Sequence, residues 1–329
     1  MSIQKRRPVA PVPAPQHPAN GKVTGKFISP NGSVLDINPG LWNNRVCIGI
    51  PMTGLVRCEW VHARYGQTVP TNWSHVEVCQ YYSSFIPMAY QVADAENLIA
   101  KHVVEGNYEW LFFIEHDNIL PPNTFIKMNH YMVEAKYPIV AGLYFTKSDP
   151  PEPLIYREPG RGYFDKWKMG DKVMAAGVPF GCTLIHGSII RALWNESPEY
   201  TVNGQVTRRV FQAPSSDWAD PSKGIYLIET GTSDLAWCKR LTRDHIFEKA
   251  GWPQFQNMKY PLLVDTSIFV MHITQDGTQY PLRVPEKFLP KGTVISQDAS
   301  GVQTIQVKIP PPGIKPPPER VARETRERV

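Results

Sequence analysis

The alternation of apolar and polar stretches sets the frame. Residues 45–51 (RVCIGIP) are apolar, end in proline and pass into Thr53-Gly54, which predicts a buried strand running out into a loop. Residues 93–106 (ADAENLIAKHVVEG) place Leu98, Ile99 and Val103, with His102 beside them, at helical spacing and stop at Gly106. Residues 109–117 (EWLFFIEHD) are too apolar for a half-exposed strand. Next, residues 121–135 (PPNTFIKMNHYMVEA) predict a helix starting at Pro122 or Asn123, with Phe125, Met128 and Met132 on one face. Residues 137–145 (YPIVAGLYF) read as another strand. Strands alternating with helices predict an α/β fold, a mostly parallel sheet with helices on both faces.

The second half is less regular. Residues 177–193 (GVPFGCTLIHGSIIRAL) predict a glycine-bounded strand and then a helix. Residues 231–252 read as one amphipathic helix, with Ser233 as N-cap, Asp234 in the first turn, and Leu235, Cys238, Leu241, His245 and Ile246 on one face. Residues 261–273 (PLLVDTSIFVMHI) form a strand or two short ones ending at His272, and residues 293–309 suggest a hairpin. Two aromatic, irregular stretches, 60–82 and 194–224, read as loops suited to an acceptor cleft or a lid, or simply as surface loops. The expected organisation is a basic, proline-rich tail (1–40), an α/β domain (41–280), an appended hairpin (281–309) and a proline-rich, charged tail (310–329).

Composition sharpens this picture. At 42% hydrophobic residues the chain can build a sizeable core, while many of its 32 prolines sit near the two ends. Of the net +5, the first 35 residues carry +5 and the last 20 carry +2, leaving −2 between them. The basic character therefore belongs to the tails, which are available to a polyanion or a partner protein, and the core offers no obvious nucleic-acid surface. Five scattered cysteines without a C-x-x-C pair argue against a disulfide framework or a zinc knot and predict reduced, mostly buried thiols. No stretch has the length and apolarity of a signal sequence or a membrane span, so a soluble, cytoplasmic chain is expected.

The candidate chemistry starts where the apolar run 111–114 breaks off at Glu115-His116-Asp117, before Pro121-Pro122 turns the chain away. In parallel sheets ligands bind beyond the carboxyl ends of the strands, where this triplet and residues 51–54 both fall. A carboxylate there can hold a divalent cation that bridges phosphate oxygens, and an imidazole beside it suits manganese better than calcium. A polar surface turn is the plainer alternative. His272 ends an apolar strand about 155 residues later, and Asp234 opens a helix, where an acid also complements the dipole. Gly177 and Gly181-Cys182-Thr183 bracket a strand start, as a close backbone approach would require.

Taken in order, these motifs resemble the GT-A fold glycosyltransferases, most of all the small bacterial and phage members similar to family 2. The pattern runs from about residue 45 to 273: strand-P-x-x-G, strand-(D/E)-x-D with a proline exit, strand-x-G-x-Y, G-x-x-x-G-C-x-L-I, an acid at a helix start, then G-W-P, V-D and a late histidine. The resemblance implies that Asp117 and His272, with Glu115, ligate Mn²⁺ or Mg²⁺. It implies that Pro51, Thr53, Glu96, Asn97, Glu115 and His116 meet a nucleotide-sugar donor, a UDP- or GDP-sugar. It further implies that Asp234 deprotonates a hydroxyl acceptor in an inverting transfer; the acceptor could be a glycan, a small molecule, a protein or a modified nucleic acid. Three positions depart from the pattern: Glu96 stands where many relatives have arginine, His116 occupies the middle of the D-x-D position, and His186 follows the GCTLI segment. A non-catalytic GT-A-like module for sugar binding or assembly is the alternative. A nucleotidyltransferase is disfavoured, because residues 51–60 (PMTGLVRCEW) lack the glycine-rich basic loop that a triphosphate needs.

Overall fold

A computed structural model describes residues 42, 44–52, 54–73, 84–158, 162–220 and 225–289, together with short strands at 26–28, 34–36, 293–297 and 303–307. The four outlying strands pair as two antiparallel hairpins, Lys26–Ile28 with Val34–Asp36 and Thr293–Gln297 with Gln303–Val307. Most of both predicted tails lies outside the described residues.

The chain opens with strand β1 (Asn44–Gly49) and helix α1 (Cys58–Tyr65). Helix α2 (Val92–Glu105), strand β2 (Tyr108–Ile114), the short strand β3 (Asn118–Ile119), helix α3 (Thr124–Glu134) and strand β4 (Ile139–Leu143) follow. Then come β5 (Lys172–Ala175), β6 (Cys182–His186), α4 (Gly187–Glu196) and the hairpin of β7 (Glu199–Val202) with β8 (Gln205–Arg208). Helix α5 (Ser233–Arg243) precedes two one-turn helices, α6 (Ile246–Lys249) and α7 (Pro253–Gln256). Between β8 and α5, Ser215–Asp220 pairs antiparallel with Ile225–Thr230, and after α7 come strands β9 (Leu262–Phe269), β10 (Met271–Ile273) and β11 (Gln279–Tyr280).

Six strands make the central sheet in the order β1-β2-β6-β4-β9-β5. Strands β1, β2, β4 and β9 run one way, while β6, inserted between β2 and β4, and the edge strand β5 run against them. The mostly parallel arrangement expected from the sequence therefore holds, with two reversed members. A second, three-stranded sheet is built from β11, β10 and β3 in that order.

Helices cover both faces, which is why β2 reads as an unbroken apolar run. Its Trp110, Phe112 and Ile114 belong to a core with Phe125, Met128 and Met132 of α3 and Trp60 of α1. The alternate residues Leu111 and Phe113 pack in a second core with Ile99 and Val103 of α2, Ile189 and Leu193 of α4, and Trp237 and Leu241 of α5. Every one of these β2 side chains from Trp110 to Ile114 is fully buried. Each contributes on the order of 1.5–3 kcal/mol of transfer free energy.

Several expectations need correction. The helix over 231–252 is interrupted: α5 ends at Arg243, and His245 takes a left-handed φ of 55° before α6 restarts. Arg240 and Arg243 both donate to the Asp244 carboxylate at this break, and the Asp244 amide donates to the Arg240 carbonyl at 2.9 Å. The N-cap of α5 is Thr232, and Ser233 is the first helical residue. The stretch 60–82, read as an irregular loop, includes most of α1, and 194–224 includes the β7–β8 hairpin. Of the cysteines, Cys47, Cys182 and Cys238 are buried as expected, Cys58 is exposed, and Cys79 lies outside the described residues.

Candidate functional site

The site forms where β2 runs out. Beyond Ile114 the chain continues through Glu115, His116 and Asp117 into β3, and β3 pairs antiparallel with β10, setting His272 opposite Asn118. The amide of Ile273 donates to the Asp117 carbonyl at 2.7 Å, closing the same ladder. This pairing brings one ligand-capable atom each from Glu115, Asp117 and His272 within 4.8 Å of one another. The donor set, two carboxylates and an imidazole, suits Mn²⁺ or Mg²⁺.

The surroundings orient these groups. His272 Nδ1 lies 2.6 Å from the Phe145 carbonyl, and Tyr144 packs edge-on against the ring. A carbonyl can only accept, so Nδ1 carries the proton and Nε2 is left with its lone pair, as a metal ligand requires. Burial lowers the proton affinity of this histidine, which favours the neutral form. Trp60 Nε1 donates to the Glu115 carbonyl at 2.8 Å, and the Glu115 amide donates to Gly181 O at 3.2 Å. Gly181 cannot carry a side chain, because a Cβ there would stand 1.7 Å from Asn118 Nδ2 and 2.7 Å from the Tyr144 hydroxyl. The amide of Gly181 donates to that hydroxyl at 2.8 Å, so β6, β3 and the end of β4 meet at one backbone position.

A cleft of about 170 Å³ adjoins the triad. Pro51, Met52, Tyr90, Glu115, His116 and Asp117 line it, with Val92 and Ala95 of α2 beneath. His116 Nδ1 lies 3.3 Å from the Pro51 carbonyl, which joins the exits of β1 and β2. Of the sequence-derived candidates, Pro51, Glu115, His116 and Asp117 thus share one cleft, and His272 joins Glu115 and Asp117 in the triad. Thr53 lies outside the described residues.

Glu96 and Asn97 on α2 have different surroundings. Asn97 is buried and spends its amide on Phe211 N (2.8 Å), Phe211 O (2.9 Å) and the Tyr200 hydroxyl (3.0 Å), tying the β7–β8 region to α2. Glu96 is 1% exposed, and its Oε2 has no hydrogen-bond partner. Burial raises its proton affinity well above the carboxylate norm, a bond from Ser233 opposes this, and Glu115 and Asp234 add to it. Asp234 is raised as well, chiefly by burial, against hydrogen bonds from the Thr232 side chain and the Leu235 amide. It is not among the residues lining the cleft, but its charge is felt at Glu115 and Glu96. Burial, then Asp117 and Asp234, push Glu115 up to about 8, with Lys147 pulling the other way.

These shifts carry a testable sign. A carboxyl whose folded-state proton affinity exceeds its unfolded value stabilises the fold fully below the unfolded pKa, and that contribution is lost as pH rises through the folded pKa. For Glu115 the window runs from 4.5 to about 8. Without metal, the thermal midpoint is expected to fall by several degrees between about pH 6.5 and pH 8.5, a range above the ordinary histidine pKa. Differential scanning fluorimetry should show a smaller fall in Glu115→Gln; an equal fall in both proteins would locate the proton elsewhere.

Two contributors escaped the sequence reading. Tyr144 reads as an ordinary core aromatic, and Lys147 as one more surface lysine. The signal for Lys147 was positional: it follows the carboxyl end of β4, the same sheet edge as the triad. Its Nζ donates to Asp117 Oδ2.

No protein-family profile matches the chain, and no curated protein matches it. Among solved structures, A197 from STIV aligns at 15% identity over 70% of this chain and 87% of that one, with a TM-score of 0.41. TarS residues 1–349 from S. aureus, in complex with UDP, aligns at 10% identity over 47% of this chain and 50% of that one, with a TM-score of 0.29. At TM-scores below 0.5 neither likeness bears on the chemistry, which rests on the geometry above. Among the described residues no helix is long and apolar enough to cross a membrane.

Proposed function

We propose that the cleft is the donor site of a metal-dependent glycosyltransferase that moves a sugar from a UDP- or GDP-sugar to a hydroxyl acceptor. The observation that carries this reading is the convergence of Glu115, Asp117 and His272, drawn from segments about 155 residues apart, within 4.8 Å of one another beside an open cleft. A divalent ion bound there would neutralise the charge that develops on the departing nucleoside diphosphate. Asp117 and His272 Nε2, with Glu115, are the residues to hold it. Pro51 and His116 stand at the joined exits of β1 and β2, where the nucleoside would lie along the cleft.

Asp234 supplies the base in this reading. The acceptor oxygen attacks the anomeric carbon, the bond from that carbon to the phosphate oxygen breaks, and the electron pair leaves with the nucleoside diphosphate. The acceptor proton passes to the Asp234 carboxylate, whose proton affinity is raised by burial, which favours its receiving one. A single displacement inverts the anomeric centre.

The test needs no acceptor, because water can replace it. UDP-, GDP-, dTDP- and CMP-sugars are incubated with the protein in Mn²⁺ or in EDTA, and nucleotide release is measured. Release of one nucleotide in Mn²⁺ and none in EDTA is the expected result. Silence across the panel, with no metal-dependent nucleotide binding by calorimetry, would reject the reading in favour of a non-catalytic module.

A further inference from the structure

The reaction outlined above leaves Lys147 unused, yet its ammonium stands in the metal triad. Besides donating to Asp117 Oδ2, it lowers the proton affinity of both Glu115 and His272, so one positive charge faces all three candidate ligands. The backbone on either side is held. The Phe145 carbonyl is bonded to His272, and Thr146 N donates to Glu152 O at 2.9 Å. The Thr146 and Ser148 hydroxyls lie 2.6 Å apart. The Lys147 side chain is 35% exposed, so its flexible stem can move the charge without moving the chain.

We propose that Lys147 is a tethered counter-ion. It neutralises Asp117 while the donor site is empty, and it moves onto the donor's diphosphate when a divalent ion takes Asp117. The proposal rests on the donor-site reading above. An ammonium and a divalent cation repel each other at one carboxylate oxygen, so metal must displace the lysine. A displaced ammonium gains a new partner only if phosphate is present. Metal alone should therefore bind weakly, and metal and nucleoside diphosphate should each strengthen the other, by equal factors.

The experiment titrates Mn²⁺ alone, followed by electron paramagnetic resonance of the free ion, and UDP with and without saturating Mn²⁺, followed by calorimetry. Wild type is compared with Lys147→Met, Lys147→Arg and Asp117→Ala, after circular dichroism confirms the fold. Lys147→Met is expected to bind Mn²⁺ alone about tenfold tighter than wild type and UDP in Mn²⁺ about tenfold weaker. Lys147→Arg, which keeps the charge, should retain the weak binding of Mn²⁺ alone. Equal Mn²⁺ affinity in wild type and Lys147→Met, with binding lost in Asp117→Ala, would overturn the counter-ion and leave the metal site standing. No Mn²⁺ binding by wild type or by Lys147→Met would overturn both.

Discussion

Replacing Asp117 with alanine is expected to abolish Mn²⁺-dependent nucleotide-sugar hydrolysis, a loss of at least about a hundredfold in turnover. The fold should survive, because the Asp117 backbone carbonyl, not its side chain, holds the Ile273 amide. The side chain is 27% exposed and spends itself on Lys147. Removing it takes a ligand from the triad and also frees the ammonium. Calorimetry should then show UDP binding that no longer responds to Mn²⁺. Turnover within threefold of wild type would remove Asp117 from the site, whatever the rest of the cleft binds.

Asp234→Asn is expected to lower turnover by roughly a hundred- to ten-thousand-fold while leaving UDP affinity in Mn²⁺ unchanged. The substitution is nearly isosteric, and the amide oxygen can still accept the Leu235 N–H that the carboxylate accepts at 2.7 Å. The start of α5 is thus preserved, and what disappears is the ability to take a proton. A drop confined to kcat would assign Asp234 to the chemical step. A parallel loss of UDP affinity would instead make it a support for Glu115, and unchanged turnover would place the base elsewhere.

The layered α/β arrangement was legible because its strands are nearly pure. The run 110–114 is buried on both faces, and α2 and α3 carry their apolar residues at helical spacing. The polar end of β2 and the histidine within β10 were also legible, as abrupt breaks in apolar runs. What the pattern could not carry was pairing at a distance. Nothing local in residues 271–273 says that they lie against 118–119, and nothing in the run after β4 says that Lys147 turns back onto Asp117. The break at His245 was hidden for another reason: Leu241, His245 and Ile246 keep helical spacing across it, although the backbone at His245 is left-handed. Asn97 marks the same limit from the other side. Its sequence context suggested a ligand contact, and its amide is instead taken up by Phe211 and Tyr200, more than a hundred residues away.

The antiparallel rung between residues 118–119 and 271–272 has a consequence for how the triad comes into being. Glu115 and Asp117 directly follow β2, whereas the imidazole comes on β10, which follows β9, the strand paired with β4. Any fragment that stops short of Met271 carries the two acids without their third partner, and any fragment that starts after Asn118 carries the imidazole alone. The triad belongs to neither half of the chain and exists only once the two have closed on each other.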